Sequence, residues 1–204
     1  DYNTIRDFKN LLLGTYHFQN SSVNHYLQNH NHIPPWILVT SLTLGDIIRW
    51  YDILKPADKS AICTSFIDNT IDIEKSKEFF KKSIDLLREF RNSIAHGNRT
   101  MFLTGTNKLP KEQTIKLSKG IIQKKEYNND DHFKCGLPAV VVALLSLLND
   151  PVLQMGLASE LIDIFKDFSK SGVAFPGKTT MALFYLPDDF EDRLQLYFSQ
   201  PVPP

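Results

Sequence analysis

The segment "RNSIAH", residues 91 to 96, brings together three side chains with the chemistry needed to cleave RNA. Cleavage without a metal requires a base for the ribose 2′-hydroxyl, a cation beside the phosphate and a proton for the departing 5′-oxygen. Histidine suits proton transfer because its unperturbed pKa lies near neutrality. Arginine suits the phosphate because its planar, charged fork binds two oxygens at once. Arg91, Asn92 and His96 are therefore candidate catalytic residues, with the asparagine orienting the histidine or the phosphate.

A long amphipathic helix must position these residues. The pattern "IEKSKEFFKKSIDLLREFRNSIAHG" predicts a helix from Ile73 to Gly97, with the glycine as its stop. Asn92 and His96 lie four residues apart on one face, and Arg91 and His96 are long enough to converge at a fraying helix end. An apolar stripe of this helix is expected to face a core or a partner, and it contains Phe80, Ile84, Leu87, Arg91 and Ile94.

The same residues also fit an ordinary helix end. A histidine in the last turn, next to Gly97, stabilises a helix through its dipole and by capping. Arg91 can extend from an apolar stripe to reach solvent or to pair with an acid. Many helices contain an arginine and a histidine five residues apart, so the spacing alone favours the helix-end interpretation and leaves both open.

Composition limits the classes of protein that fit. The 204 residues suit one domain, 1–204, and the apolar fraction of 42% is enough for a buried core. Lys plus Arg and Asp plus Glu are 23 each, so a nucleic-acid site must be a local basic patch rather than a bulk charge. Cys63 and Cys135 have no metal-ligand spacing. Two cysteines also do not form a disulfide framework, which favours a reducing cytoplasm. We predict no metal and no cofactor.

Two features concern membranes and the chain ends. The longest apolar stretch, "LPAVVVALLSLL" at 137–148, is too short to cross a bilayer, so it predicts a buried core helix and no membrane association. The chain opens on Asp1 rather than Met, and we expect that an N-terminal portion is missing or trimmed.

The remaining patterns predict an all-α fold with one loop-rich insert. Helical patterns occupy 4–16, 21–30, 36–54, 56–67, 137–150, 151–170 and 187–198. Trp36 and Trp50 are expected in the core. Residues 100–135 are expected to be loops around a short element, and they contain the densest basic stretch: Lys108, Lys111, Lys116, Lys119, Lys124 and Lys125. Of these, Lys119, Lys124 and Lys125 could contact RNA, but a solvated face is favoured. The "NHNH" segment at 29–32 is expected to be a polar loop rather than a metal site.

In this setting "RNSIAH" resembles the R-x4–6-H motif of the HEPN superfamily, where a polar residue typically follows the arginine. The segment "IPPWILVTSLTLGDIIRWYDIL", 33–54, resembles the Pro-x-Trp helix of the Abi-like (abortive infection) proteins, which also have an arginine three residues after the histidine, here Arg99. The segment 183–194 resembles that family's C-terminal segment. Two departures are the sequence at 100–102, where the family has an aromatic pair, and the family's longer N-terminus.

The resemblance implies a HEPN-type helical bundle that acts as a homodimer. Two motifs then meet across the interface and form one composite, metal-independent RNase site. By this resemblance Arg91, Asn92 and His96 are catalytic. Arg99, which the resemblance also contains, and Arg88, one turn before Arg91, are the candidate RNA-binding residues. It also implies a cytoplasmic phage-defence toxin whose partners are its RNA substrate and an RNA or protein antitoxin.

Three functional interpretations follow. The first is an endoribonuclease toxin of the Abi-like HEPN group. The second is a catalytically silent HEPN module that binds RNA or a partner protein. The third is the toxin of a pair with a nucleotidyltransferase antitoxin, in which a tyrosine usually lies two residues after the histidine. Asn98 occupies that position here and argues against the third interpretation.

Overall fold

The computed structural model describes residues 21–67, 71–98, 103–148, 150–171 and 179–199, and within these ranges it contains α-helices and no strand. This confirms the all-α prediction. The helices are α1 (Ser21–His30), α2 (Pro35–Val39), α3 (Leu44–Ile53), α4 (Pro56–Phe66), α5 (Ile73–Ala95), α6 (Lys111–Leu117), α7 (Lys124–Asn129), α8 (His132–Cys135), α9 (Leu137–Leu147), α10 (Pro151–Lys170), α11 (Thr180–Leu183) and α12 (Phe190–Ser199). None of the helices in the described ranges combines the length and apolar character that a bilayer crossing demands.

The chain forms two compact units, Asp1–Lys59 and Ser60–Pro204. The single domain over 1–204 and its HEPN-type arrangement stay predictions. Most helix positions expected from the sequence are confirmed, among them α1, α4 and α10. The helix expected at 4–16 lies outside the described residues.

The first unit corrects the prediction of one long buried helix at 36–54. A capping box interrupts the apolar run and starts α3 at Leu44: Asp46 N–H donates to Thr43 Oγ1 at 3.2 Å, and Thr43 N–H donates to Asp46 Oδ2 at 3.0 Å. The apolar residues are also less buried than expected. Trp36 is 69% exposed, so its assignment to the core was wrong, while Trp50 is half-buried.

In the second unit, α5 and α9 pack against each other. Helix α9 is buried along almost its whole length, which confirms the predicted core helix. Helix α5 begins where Asp72 accepts hydrogen bonds from Glu74 N–H at 3.0 Å and Lys75 N–H at 3.3 Å. These two helices form the layer from which the candidate residues project.

The predicted stripe of α5 does not form its face toward the core, because only Phe80 of the stripe is buried. That the stripe faces a partner stays a prediction. Ile84 and Leu87 are half-buried, and Arg91 and Ile94 are exposed. The buried face is centred roughly 80° away around an ideal helix, and it consists of Ser76, Phe79, Phe80, Ser83, Leu86, Phe90 and Ser93. Three of these seven are serines, which an apolar pattern does not count although their small size lets another helix approach closely.

Residues 103–135 are more helical than the predicted loop-rich insert. They contain α6, α7 and α8, and α7 begins with a capping box between Gln123 and Glu126. Tyr127 and Phe133 are buried and fix α7 and α8 to the core. The Tyr127 hydroxyl donates to the Leu109 carbonyl and thereby fastens the preceding loop. Long-range burial of two aromatic side chains therefore overrides the polar local sequence.

Arg193 joins α12 to the middle of the second unit. Its guanidinium donates two hydrogen bonds to the Glu126 carboxylate, at 2.7 Å and 2.8 Å, and a third to the Ile121 carbonyl at 3.0 Å. Its Nε lies 2.9 Å from Asp189 Oδ1. Only 10% of the Arg193 side chain is exposed, so this is a largely buried ion pair that ties the C-terminal helix to α7.

Candidate active site

The segment 91–96 forms the last turns of α5, and the backbone alone closes this helix end. Gly97 adopts a left-handed conformation with φ of 70°. Its N–H donates to the Ile94 carbonyl at 2.9 Å, and Asn98 N–H donates to the Ser93 carbonyl at 3.0 Å. These two bonds are the Schellman arrangement, which needs a residue that tolerates positive φ. The predicted glycine stop is confirmed.

Arg91 and Asn92 form an exposed polar pair. Arg91 Nη1 donates to Asn92 Oδ1 at 3.1 Å, and both side chains lie at the surface. The Asn92 amide oxygen accepts from one of the five N–H groups of the guanidinium, so the other four N–H groups stay available for a phosphate. This contact gives Asn92 a physical role, because it restrains the long arginine side chain.

His96 is the C-cap of α5 and is exposed. Its backbone N–H donates to the Asn92 carbonyl at 3.0 Å, whereas its ring makes no hydrogen bond with any described residue. The histidine side chain therefore does not cap the helix. Both ring nitrogens can meet a ligand, as proton transfer requires.

The other two candidates are Arg88 and Arg99. Arg88 is half-buried one turn before Arg91, on the same side of the helix as Asn92. Arg99 lies outside the described residues. The structure thus brings Arg91 into contact with Asn92 and places Arg88 on the adjacent turn, while no hydrogen bond in the described part of the chain joins His96 to Arg91.

The electrostatics of this helix end make the arginines indispensable for anion binding. The C-terminus of a helix carries a partial negative charge from its last carbonyl groups. This charge disfavours a phosphate, so positive side chains must supply the attraction. Arg88 and Arg91 are the described cations within the last two turns of α5.

Glu89, on the same helix, makes a group of polar contacts near the candidate site that the sequence did not indicate. Its carboxylate accepts hydrogen bonds from Thr106 N–H at 2.8 Å, from the Thr106 hydroxyl and from the Asn107 amide at 2.8 Å. Burial acts to raise the pKa of the Glu89 carboxyl, but these hydrogen bonds outweigh it and lower the pKa. No sequence signal points to Glu89, because its partners lie 17 and 18 residues away.

The basic stretch after the motif is partly neutralised. Lys108 Nζ lies 2.8 Å from Asp131 Oδ2, and Lys134 Nζ lies 2.6 Å from Asp131 Oδ1. Hydrogen bonds from these two lysines lower the pKa of Asp131 to about 2. Lys119 instead lies over the ring of Tyr197, 5.1 Å from its centroid. These contacts favour the solvated-face interpretation of the stretch.

A cavity of about 240 Å³ lies near the start of α5, lined by residues that include Cys63, Ile67 and Ser76. Ser76 and His96 are 20 residues apart on one helix, which corresponds to roughly 30 Å along its axis. The cavity is therefore separate from the candidate site.

Residues 3–101, just under half of the 204 residues, match the family model described as Abi-like protein. The match contains Arg88, Arg91, Asn92, His96 and Arg99, and it confirms the resemblance to the Abi-like proteins. It ends before 183–194, whose correspondence to the family's C-terminal segment stays a prediction. The HEPN character of "RNSIAH" also stays a prediction. No curated protein and no solved structure shows a significant match to the chain.

Proposed function

We propose that the protein, whose residues 3–101 match the family model described as Abi-like protein, is a metal-independent endoribonuclease of abortive infection. The family favours a role in phage defence. The finer proposal is that the protein is a cytoplasmic toxin that cleaves RNA through attack of the ribose 2′-hydroxyl. An RNA or protein antitoxin is its expected regulator.

The observation that carries this proposal is the exposure of Arg91, Asn92 and His96. The buried face of α5 is formed by other residues, and the helix end is closed by backbone hydrogen bonds. Neither packing nor capping therefore accounts for these three side chains. A cationic fork and an imidazole at one exposed helix end are instead the groups that RNA cleavage requires.

The proposed mechanism assigns one role to each side chain. His96 takes the proton of the 2′-hydroxyl or delivers a proton to the departing 5′-oxygen. Arg91 binds the scissile phosphate and stabilises the charge that develops on it. Asn92 holds the guanidinium through the 3.1 Å hydrogen bond. Arg88, and Arg99 by its sequence position, bind neighbouring phosphates of the RNA strand.

We further propose that two copies of the chain share this site. Ile94 is 63% exposed between Arg91 and His96. Exposure of a large apolar side chain to water raises the free energy of the folded protein. A two-fold contact through α5 would cover Ile94 in both copies and bring the two motifs together. One His96 would then act as the base and the other as the acid.

We expect that Ile94→Lys converts a wild-type dimer into a monomer and abolishes its RNA cleavage. Two lysines that face each other across a two-fold axis repel, whereas an added positive charge cannot weaken attraction to RNA. Light scattering at micromolar concentration measures the mass. Leu153→Lys, at a position that is 56% exposed on α10, is the matched control and should stay dimeric and active. A wild-type monomer that cleaves RNA would exclude the shared site.

The decisive experiment is incubation of the purified protein with total RNA in EDTA. We expect cleavage in the chelator, with products that carry a 2′,3′-cyclic phosphate or 3′-phosphate and a 5′-hydroxyl. A substrate with a 2′-deoxy sugar at the cut should be inert, because it lacks the attacking oxygen. Products with 3′-hydroxyl ends, or complete loss of activity in EDTA, would refute the mechanism. RNA binding without cleavage would favour the catalytically silent module.

A further inference from the structure

A polar clamp joins the motif helix to the loop that follows it. The clamp consists of Glu89 on α5 and of Thr106 and Asn107 in the loop, joined by the three hydrogen bonds that Glu89 accepts. Hydrogen bonds to an ionised acceptor are roughly twice as strong as neutral ones. Glu89 lies only two residues before Arg91, so the clamp fixes the helix where the candidate site begins.

The loop approaches α5 so closely that a side chain at position 105 would displace the ends of Glu89 and Leu86. A Cβ atom on Gly105 would lie 2.4 Å from Glu89 Oε2 and 2.7 Å from Leu86 Cδ1. The Gly105 N–H also donates to the Cys135 carbonyl at 2.7 Å, and Leu109 N–H donates to the Lys134 carbonyl at 2.9 Å. The loop is therefore held between α5 and α8, with Glu89 as its contact on the motif helix.

The clamp also directs the charge of Glu89. A carboxylate at position 89 would repel a phosphate if it turned toward Arg88 or Arg91, although an ideal helix places its side chain about 100° from Arg88 and about 160° from Arg91. All three hydrogen bonds of Glu89 instead point to the loop, and Arg91 uses one donor for Asn92. Helix geometry therefore turns the carboxylate away from both arginines, and the loop binds it on that side.

We propose that Glu89 is a positioning residue for the RNA-cleavage site: it anchors the loop to α5 and thereby holds the last turns of the helix in place. This inference rests on the proposed function. Glu89 touches no reacting atom and acts through Arg91 and His96.

The test compares Glu89→Gln with Thr106→Val in the full-length protein. Glutamine presents an amide N–H₂ to donors of the loop and breaks the clamp from the helix side. Valine removes the threonine hydroxyl and weakens it from the loop side. We expect each to lower kcat about tenfold with KM unchanged, since small displacements of reacting groups can cost up to about 100-fold. The double variant should be no slower than Glu89→Gln alone, because both changes break one clamp.

Glu112→Gln is the matched control, because it removes one carboxylate charge from the exposed pair with Lys75. It should leave kcat and KM unchanged. If Glu89 were only a charge near the RNA, Glu89→Gln would lower KM and keep kcat, and Thr106→Val would have no effect. Either result would overturn the proposal.

Amide hydrogen exchange tests this inference separately from the proposed function, because the measurement does not require the protein to cleave RNA. In Glu89→Gln we expect faster exchange at amides 88–96 as well as at 103–109. Faster exchange confined to 103–109 would mean that the clamp does not hold the motif, and the proposal would be wrong. A wild-type protein that leaves RNA intact would instead refute the ribonuclease, and the exchange at 88–96 would still decide whether Glu89 positions the motif.

Discussion

Replacement of His96 by alanine is expected to lower RNA cleavage by about 10²- to 10⁴-fold, the range typical of a lost general acid or base. The fold should be unaffected, because the His96 ring makes no hydrogen bond with the described residues and the helix end is closed by the backbone of Gly97 and Asn98. The rate of cleavage of a defined RNA, measured beside a thermal melt, checks both statements. In cells the variant should no longer arrest growth.

Arg91 should behave as the phosphate ligand. Arg91→Ala is expected to abolish cleavage, and Arg91→Lys should restore only part of it, because lysine keeps the charge but loses the planar fork. Asn92→Ala should weaken cleavage less, since it removes a restraint on Arg91 and no charge. Kinetics of the three variants, at equal thermal stability, would establish this order.

Two exposed residues in the first unit provide matched controls. His30→Ala removes an exposed histidine, and Arg49→Ala removes an arginine whose side chain is 64% exposed. Both should retain full activity. If His96→Ala is as active as His30→Ala, the histidine belongs to an ordinary helix end and the ribonuclease mechanism is wrong.

The helix boundaries were predictable where local chemistry sets them. Pro35 and Pro56 begin helices, and Gly97 follows the end of α5, as the sequence indicates. The break before Leu44 had a local signal too, since Thr43 and Asp46 have the spacing of a capping box. The apolar residues on both sides of this break hid the signal, and the predicted helix was therefore too long.

The packing was less predictable, because it depends on partners that are distant in sequence. Ser83 and Ser93 are buried on α5, which packs against α9, and their polar type conceals this burial in the sequence. The helices within 103–135 are similarly fixed by the burial of Tyr127 and Phe133. Tertiary contacts of this kind override local propensity.

The residues of the candidate site also differ in how far the sequence indicates them. The sequence places Arg91, Asn92 and His96 as a group near the end of one helix, because their types and spacing suit RNA cleavage, and their catalytic role stays a prediction. The packing face of α5 had to be corrected, and the correction places Arg91 at the surface. Glu89 could not be predicted, because its role depends on a loop that returns to the helix 17 residues later.

Replacement of Arg193 by methionine is expected to lower the free energy of unfolding by about 3–5 kcal/mol, as when one partner of a buried ion pair is removed. Methionine retains much of the apolar stem but leaves the Glu126 carboxylate and the Ile121 carbonyl without the guanidinium. Helix α12 should then separate from α7 before the rest of the second unit unfolds. Urea unfolding followed by circular dichroism measures the loss.

The surface pair of Lys75 and Glu112 is the natural control for this prediction. Its N–O distance of 2.7 Å equals that between Arg193 and Glu126. The side chains of the surface pair are 54% and 76% exposed, whereas those of the buried pair are 10% and 21% exposed. Because solvent screens an exposed pair, Lys75→Met should leave the urea midpoint unchanged. Equal losses in Arg193→Met and Lys75→Met would mean that burial does not decide the strength of these ion pairs.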